Sequence, residues 1–189
     1  MKVIDIVKTV ATFLARENVL AYLEKGESKM SDENYGDALN QIDYMVKCSN
    51  LVINELAGSF VPMIKREKVV VNDGKIYYGT LNENATEIIS VSNESERQVN
   101  YKMETEYMSV AESPVIVEYK YIPYNYDLND EVGFDEKVSA RTLAYGVCAE
   151  ICLIERNFSE GLNWRNRYAE SVKLIACPKN VVIKKRRWL

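Results

Sequence analysis

The sequence predicts an α+β protein in which helices from both ends of the chain enclose a β-rich segment. Apolar residues recur at helical spacing in residues 1–60 and again in residues 136–177. Between them, residues 63–124 contain short runs of β-branched and aromatic residues separated by polar turns. The length of 189 residues suits one domain with a sizeable insertion, and 47% hydrophobic with 28% charged residues is typical of a globular chain.

The first helical segment carries an apolar stripe that is interrupted near residues 16–18. Its members recur three or four positions apart: Val3, Ile6, Val7, Val10, Leu14, Val19, Leu20 and Leu23. Asp5 and Lys8 break the apolar run, so the segment is not expected to be a secretion signal, and no apolar stretch reaches the ~20 residues that span a bilayer. Gly26 is expected to close this element.

A second helix is predicted to begin near Ser31, with Ser31 or Asn34 as its cap. Its apolar stripe extends over nearly six turns: Leu39, Ile42, Met45, Val46, Ser49, Val52, Ile53, Leu56 and Phe60. Pro62 ends the helix because proline has no backbone N–H to donate.

The β-rich segment opens with a predicted hairpin in which residues 68–71 and 75–78 flank Asn72-Asp73-Gly74, because Asp-Gly suits the positive φ angles of a tight turn. Further strands are predicted at residues 87–91, 99–104, 107–110 and 115–122. In the last of these, Val115, Val117, Tyr119 and Tyr121 alternate with more polar positions, which predicts one buried face. Five or six strands would form a small antiparallel sandwich or a curled sheet.

After a polar connector at residues 123–136, two more helices are predicted up to residue 177. The first should be largely buried, because one face carries Ala140, Leu143, Ala144, Val147, Ile151 and Ile154 and a second side carries Tyr145, Cys148 and Cys152. The second begins at Asn157 or Ser159 and ends before Pro178. The inward positions of the last helix are Leu162, Trp164, Tyr168, Val172, Ile175 and Ala176. Each pair of helices leaves its apolar stripe half uncovered, so we expect the four helices to close into one bundle.

The predicted organisation therefore has four parts. Residues 1–62 form the first half of a four-helix bundle, residues 63–124 an inserted antiparallel β-sandwich-like domain, and residues 125–177 the connector with the second half of the bundle. Residues 178–189 form an extended basic C-terminal arm.

Nothing in the sequence indicates catalysis or a cofactor. The chain has no histidine and no glycine-rich phosphate loop, so we expect a non-enzymatic protein. Cys148 and Cys152, with Cys48 and Cys177, could supply thiolates to a metal, but their spacing is not that of a zinc site and all four fall in helical patterns. Reduced thiols in the core are the favoured interpretation, with no disulfide and no metal.

The connector is rich in acidic residues, and a divalent cation would be the functional alternative to a solvated loop that caps the next helix. Its members are Asp127, Asp130, Glu131, Asp135 and Glu136. They lack the spacing and the glycine of an EF-hand, so the solvated loop is the favoured interpretation.

The C-terminal arm is the strongest candidate for a partner-binding site. The net charge of the whole chain is −4, whereas residues 178–189 carry five basic residues and no acidic one. Its apolar residues have no place left in the bundle, and Trp and Arg are preferred interface residues. The expected partner-binding residues are Val181, Val182, Ile183, Lys184, Lys185, Arg186, Arg187, Trp188 and Leu189. A solvated tail or phosphate contacts are the alternatives.

The 13 tyrosines leave a second function open. Many lie in the β-rich segment, where they could stack on sugars or bases, and a carbohydrate- or host-surface-binding module is the alternative that follows. Tyrosine is also a preferred strand residue, so packing within the strands is the favoured interpretation.

Three stretches resemble the head-to-tail connector adaptors of tailed bacteriophages, the tail tubular or head-completion proteins. Residues 139–153 are similar to the family's helix of small residues that ends in an Ala-Glu-hydrophobic run. Residues 164–168, WRNRY, are similar to the aromatic and basic start of the following helix. Residues 115–123, VIVEYKYIP, are similar to the strand and proline that lead from the β-domain back to the bundle.

The resemblance implies a structural protein of the virion neck, assembled in the host cytoplasm. Subunits of this kind form a ring, commonly of about twelve copies, between the portal protein and a downstream tail or neck protein. The C-terminal arm would dock on the portal, and DNA would pass through the lumen without specific binding. Repetition around the ring would give a short arm the avidity it needs.

Overall fold

The computed structural model describes residues 1–25 and 32–176, and its mixed helices and strands confirm the α+β class. Within these residues there are five helices and six strands, in this order along the chain: α1 (Val3–Phe13), α2 (Glu17–Lys25), α3 (Asp32–Ser59), β1 (Met63–Val69), β2 (Lys75–Tyr77), β3 (Asn84–Ser92), β4 (Tyr101–Met103), β5 (Tyr107–Val110), β6 (Val115–Ile122), α4 (Ala140–Ile154) and α5 (Phe158–Ala176).

The interruption expected near residues 16–18 is a complete break between α1 and α2. Ala15 takes a φ of 51°, and the backbone N–H of Arg16 donates to the carbonyl of Ala11 at 2.8 Å, which ends α1 as a left-handed residue commonly ends a helix. The Arg16 side chain then pairs with Glu155 at the end of α4. The described chain therefore has five helices where the pattern predicted four.

The helices share one core, which we call the helical core, built from both ends of the chain. Its large members are almost fully buried: Val3, Ile6, Val7, Val10, Ile42, Met45, Val52, Ile53, Leu56, Leu143, Val147, Ile151, Tyr168 and Val172. Gly146 of α4 permits the tightest approach, because a Cβ there would lie 2.7 Å from Cγ1 of Val52 and 3.2 Å from the ring of Tyr168.

Five residues that the periodicity placed in the core are exposed, so those assignments were wrong. Leu39, Phe60, Ile154 and Leu162 are 37%, 47%, 55% and 58% exposed, and Ala176 is exposed as well. Phe60 follows the last residue of α3, and Leu162 and Ala176 lie on the flank of α5 rather than on the side that faces α4. Helical spacing identifies apolar stripes but does not decide which stripe a neighbouring helix covers.

The six strands form two antiparallel three-stranded sheets, ordered β1-β6-β3 and β2-β5-β4. The predicted alternation of β6 is confirmed: Val115, Val117 and Tyr119 are fully buried, and the residues between them are only partly so. Buried residues of both sheets make a second cluster, which we call the β core: Ile76, Leu81, Ile88, Val91, Val99, Met108, Val110, Val115, Val117 and Tyr119. Tyr121 packs against both cores.

The predicted hairpin at residues 68–78 is correct in its turn and wrong in its pairing. Asp73 and Gly74 take φ angles of 51° and 71°, and Asn72 and Lys75 exchange backbone hydrogen bonds of 2.9 and 3.2 Å. Beyond this bridge the two strands separate, because β1 pairs with β6 and β2 pairs with β5. The turn thus passes the chain from one sheet to the other.

The connector after β6 lies against the helices. Asn50 of α3 is 9% exposed and binds the backbone of Tyr126 twice, accepting from its N–H at 2.8 Å and donating to its carbonyl at 2.9 Å. The Val3 N–H donates to the carbonyl of Asp130 at 3.1 Å. Helix α4 begins at Ala140 rather than residue 136, because the Ser139 hydroxyl accepts from the Thr142 N–H at 3.1 Å and caps it.

Candidate partner-binding surface

The nine residues predicted to bind a partner, Val181 to Leu189, lie outside the described residues, as does Cys177. The surface from which they depart is described in full. It consists of the end of α5, the facing part of α3 and the groove between these two helices.

Helix α5 has more apolar surface than α4 covers. Tyr168 and Val172 are buried, whereas Phe158 and Leu162 are 64% and 58% exposed. Phe158, Leu162, Ala169 and Ala176 follow one another at spacings of four or seven residues, so they form a stripe along the helix. This stripe borders the buried side, and an apolar surface of this kind marks an interaction site more often than scattered apolar residues do.

A groove of about 460 Å³ lies between α3 and α5. The residues that line it are mainly apolar or have long aliphatic stems: Glu55, Phe60, Arg165, Tyr168, Ala169, Val172, Lys173 and Ala176. Ala176 is the last described residue before the arm, so the groove extends to the point where the arm begins.

Tyr168 is the polar centre of this surface. Its side chain is 7% exposed, and among the described residues its hydroxyl has no hydrogen-bond partner. Burial raises its pKa, and the carboxylates of Glu55 and Glu150 raise it further. Tyr168 also borders a small cavity of about 30 Å³ that these two glutamates and Arg165 help to line. Within the described part of the chain, neither glutamate forms an ion pair.

A second feature is an aromatic stack that joins α1, α4 and α5. Phe13 stacks on Tyr145 and Trp164 with ring centroids 5.5 and 5.2 Å apart. Arg167 lies 4.9 Å from the Trp164 centroid and Arg141 6.0 Å from that of Tyr145. All three rings are half-buried against the helical core, so the stack joins three helices and two arginines border it.

The cysteines that the structure describes are buried and free, which confirms that they are core residues. Burial raises the pKa of the Cys48 thiol to about 11 and that of the Cys148 thiol to about 12. Both thiols are therefore protonated at neutral pH and are poor nucleophiles.

The acidic connector does not converge on a point. Among residues 1–25 and 32–176, no three Asp, Glu or Cys side chains lie close enough to hold a metal ion. The Asp130 carboxylate instead accepts from the Asp127 N–H at 2.7 Å, and the backbone of Glu131 forms an isolated antiparallel β-bridge with that of Lys2. Ser139, and none of the acidic residues, caps α4.

Most tyrosines of the β-rich segment serve packing. Tyr119 is fully buried and its hydroxyl donates to Glu67 at 3.1 Å, while the Tyr78 hydroxyl donates to the Glu104 carbonyl at 3.0 Å. The exposed exceptions are Tyr124, 66% exposed, and Tyr77, 47% exposed, whose ring centroid lies 5.7 Å from that of its cross-strand partner Tyr107.

The groove residues Glu55, Arg165 and Tyr168 were not identified as functional from the sequence. The sequence gives one indication of this surface. Helix α5 has two apolar stripes, whereas packing against one neighbouring helix requires only one. Their convergence depends on how α3 and α5 are placed around α4.

Comparison with protein-family models and with curated proteins finds no match for this chain. In the described parts of the chain, no helix combines the length and the apolar character that a membrane crossing requires.

Proposed function

We propose that this chain is a structural subunit of a tailed-phage neck, a head-to-tail adaptor that forms a ring between the portal and the tail. In this proposal α1 to α5 form the bundle contributed by both chain ends, and β1 to β6 form a sandwich-like insertion. The basic arm of residues 178–189 docks on the portal, and DNA passes through the lumen.

The observation that carries this proposal is the helical core built from the two ends of the chain, with the strands inserted between them. It agrees with the layout that the three resembling stretches imply. The part of the α5 stripe that lies outside the groove, with Phe158 and Leu162 64% and 58% exposed, adds an apolar surface that no other described residue covers. A ring provides such a surface with a neighbour because a heterologous interface repeats around a closed circle.

Electron microscopy of the purified chain mixed with the portal protein of the same genome tests this proposal. We expect a ring seated on the portal, and we expect a chain lacking residues 179–189 to keep its fold and lose portal docking. A Lys47→Ala/Arg141→Ala variant, which also loses positive charge, is the control and should still dock. Mixtures without any portal complex, at concentrations where portals assemble, would reject the proposal.

A carbohydrate-binding module is the second candidate, and the cross-strand pair of exposed Tyr77 and half-buried Tyr107 is the observation in its favour. The Lys75 ammonium lies over the Tyr107 ring, 4.6 Å from its centroid, so the Tyr77 ring is the aromatic surface of the pair that a sugar could stack on. A glycan array distinguishes the two candidates. Binding that Tyr77→Ala abolishes and Tyr124→Ala leaves intact would favour the sugar-binding module, since Tyr124 is 66% exposed elsewhere.

A further inference from the structure

We propose that residues 177–189 fold back into the α3–α5 groove of their own chain, with Val181, Val182 and Ile183 against its apolar wall. This interaction is separate from portal docking and does not depend on the adaptor function. If both exist, a partner that captures the arm must first release it from the groove.

The first support is the position of the groove. Ala176 both lines it and immediately precedes residues 177–189. The lining residues from Arg165 to Ala176 cover about 16 Å of α5 at 1.5 Å per residue. Residues 177–180 reach about 13 Å when extended, which brings the apolar triplet back over the middle of the groove. The short tether also gives the arm a local concentration of the order of millimolar.

The second support is chemical complementarity with the wall. Phe60 and Val172 offer apolar contact, and the 460 Å³ groove is in the size range of sites that bury most of a ligand's surface. The Tyr168 side chain also lines the groove and extends this wall.

The charges of the groove fix the side on which the basic run lies. Glu55 of α3 lines the groove and forms no ion pair in the described part of the chain, while Lys184 to Arg187 follow the apolar triplet immediately. Arg165 and Lys173 border the groove from α5, so the basic run is expected on the α3 side, beside Glu55. Interactions of exposed charges are weak, so the apolar contacts carry most of the affinity.

Thiol reactivity in the full chain tests the proposal. Cys177→Ser removes the cysteine nearest the arm, and Val182→Cys places one probe thiol in the triplet. The three described native cysteines are buried, with raised pKa values, so they react slowly while the protein is folded. We expect the Val182→Cys thiol to react with a disulfide reagent at least about tenfold more slowly than a free thiol.

Two groove variants and one matched control identify the site of protection. Ala169→Lys and Ala176→Lys put a long side chain with a positive charge, which repels the basic run, on the groove at exposed helix positions, and each should restore fast reaction. Leu174→Lys adds the same charge at a position of α5 that is 75% exposed and outside the groove, and protection should persist. Circular dichroism verifies that each variant remains folded.

Three results would overturn the proposal: a fast-reacting probe in the unmodified groove, protection that both groove variants leave unchanged, or protection that disappears on 100-fold dilution. The last would mean that the arm occupies the groove of another copy. Portal docking by a chain whose probe is always reactive would reject the fold-back while leaving the adaptor function standing.

Discussion

The helical part and the β part of the molecule bury their apolar residues in different ways. The helical core combines Val3 to Val10 with Leu143 to Val172, residues separated by most of the chain. The β core draws only on residues between Ile76 and Tyr119. Loop closure opposes contacts between distant residues, so the helical core needs nearly the whole chain before it can form. The difference identifies the helical core as the part whose stability depends on long-range contacts.

A truncation in the helical core should have the largest effect. Leu143 is fully buried, so Leu143→Ala is expected to lower the free energy of unfolding by about 2–5 kcal/mol. Ile154→Ala in the same helix is the control and should cost at most about 0.5 kcal/mol, because Ile154 is 55% exposed. Urea denaturation measures the energies. Hydrogen exchange should show lost protection in α1 and α3 and retained protection in β6; equal loss in β6 would mean that the two cores unfold as one.

The second-largest effect is expected at Asn50, whose two hydrogen bonds to the backbone of Tyr126 tie the connector to α3. We call these two bonds the Asn50 clamp. Asn50→Ala leaves the N–H and carbonyl of Tyr126 without their partner, which we expect to cost about 2–3 kcal/mol. Asn54→Ala, one turn further along α3, removes no hydrogen bond made within the described residues and should be nearly neutral. Thermal unfolding of the two variants decides the matter, and equal melting temperatures would contradict the role of the clamp.

Alanine substitutions of two helical glycines should have smaller effects on the free energy of unfolding, and the two effects should have opposite signs. Gly146→Ala should destabilise the protein by about 1–3 kcal/mol, since the new methyl group meets Val52 and the Tyr168 ring. Gly36→Ala in α3 has open space around it and should stabilise by about 0.5–1 kcal/mol. Chemical denaturation should give opposite signs. A stabilised Gly146→Ala variant would disprove the close packing of α4.

The ionisation of buried groups should have the smallest effect on stability at neutral pH. Cys48 changes from a pKa of 9.0 to about 11 on folding, so the folded state keeps its proton longer. Its contribution to stability is therefore complete below pH 9 and is lost as the pH rises toward 11. In the β core, burial raises the pKa of Tyr119 from 10.0, so that contribution is lost only above pH 10.

Melting curves between pH 8 and 11 test this order. The helical core should lose stability at lower pH than the β core that contains Tyr119. Cys48→Ala should make the stability of the helical core depend less steeply on pH above pH 9. A helical signal that is constant through this range would contradict the raised thiol pKa.

Several features of the fold could be predicted from local patterns. The β6 alternation places Val115, Val117 and Tyr119 in the core because successive strand residues face opposite sides. The tight turn at Asp73 and Gly74 follows from the preference of these residues for positive φ. Which strands pair does not follow, since β1 and β2 flank that turn and belong to different sheets. Pairing depends on β5 and β6, which lie far along the chain.

The candidate partner-binding surface likewise has one part that the sequence predicted and one part that it did not. The arm from Val181 to Leu189 was selected from composition and lies outside the described residues, so its role stays a prediction. The groove was not predicted, because Glu55 and Tyr168 are separated by more than a hundred residues. Leu162 was assigned to the core because its spacing is helical, and it is exposed because α4 covers the neighbouring side of α5.

The sequence by itself determined the class of fold, the order of helices and strands and the apolar face of most elements, because these depend on backbone preferences and on short-range periodicity. Tertiary structure alone decided the strand partners, the clamp between Asn50 and Tyr126 and the groove between α3 and α5. These features require residues that are distant in sequence to meet, and no local pattern encodes the geometry of that meeting.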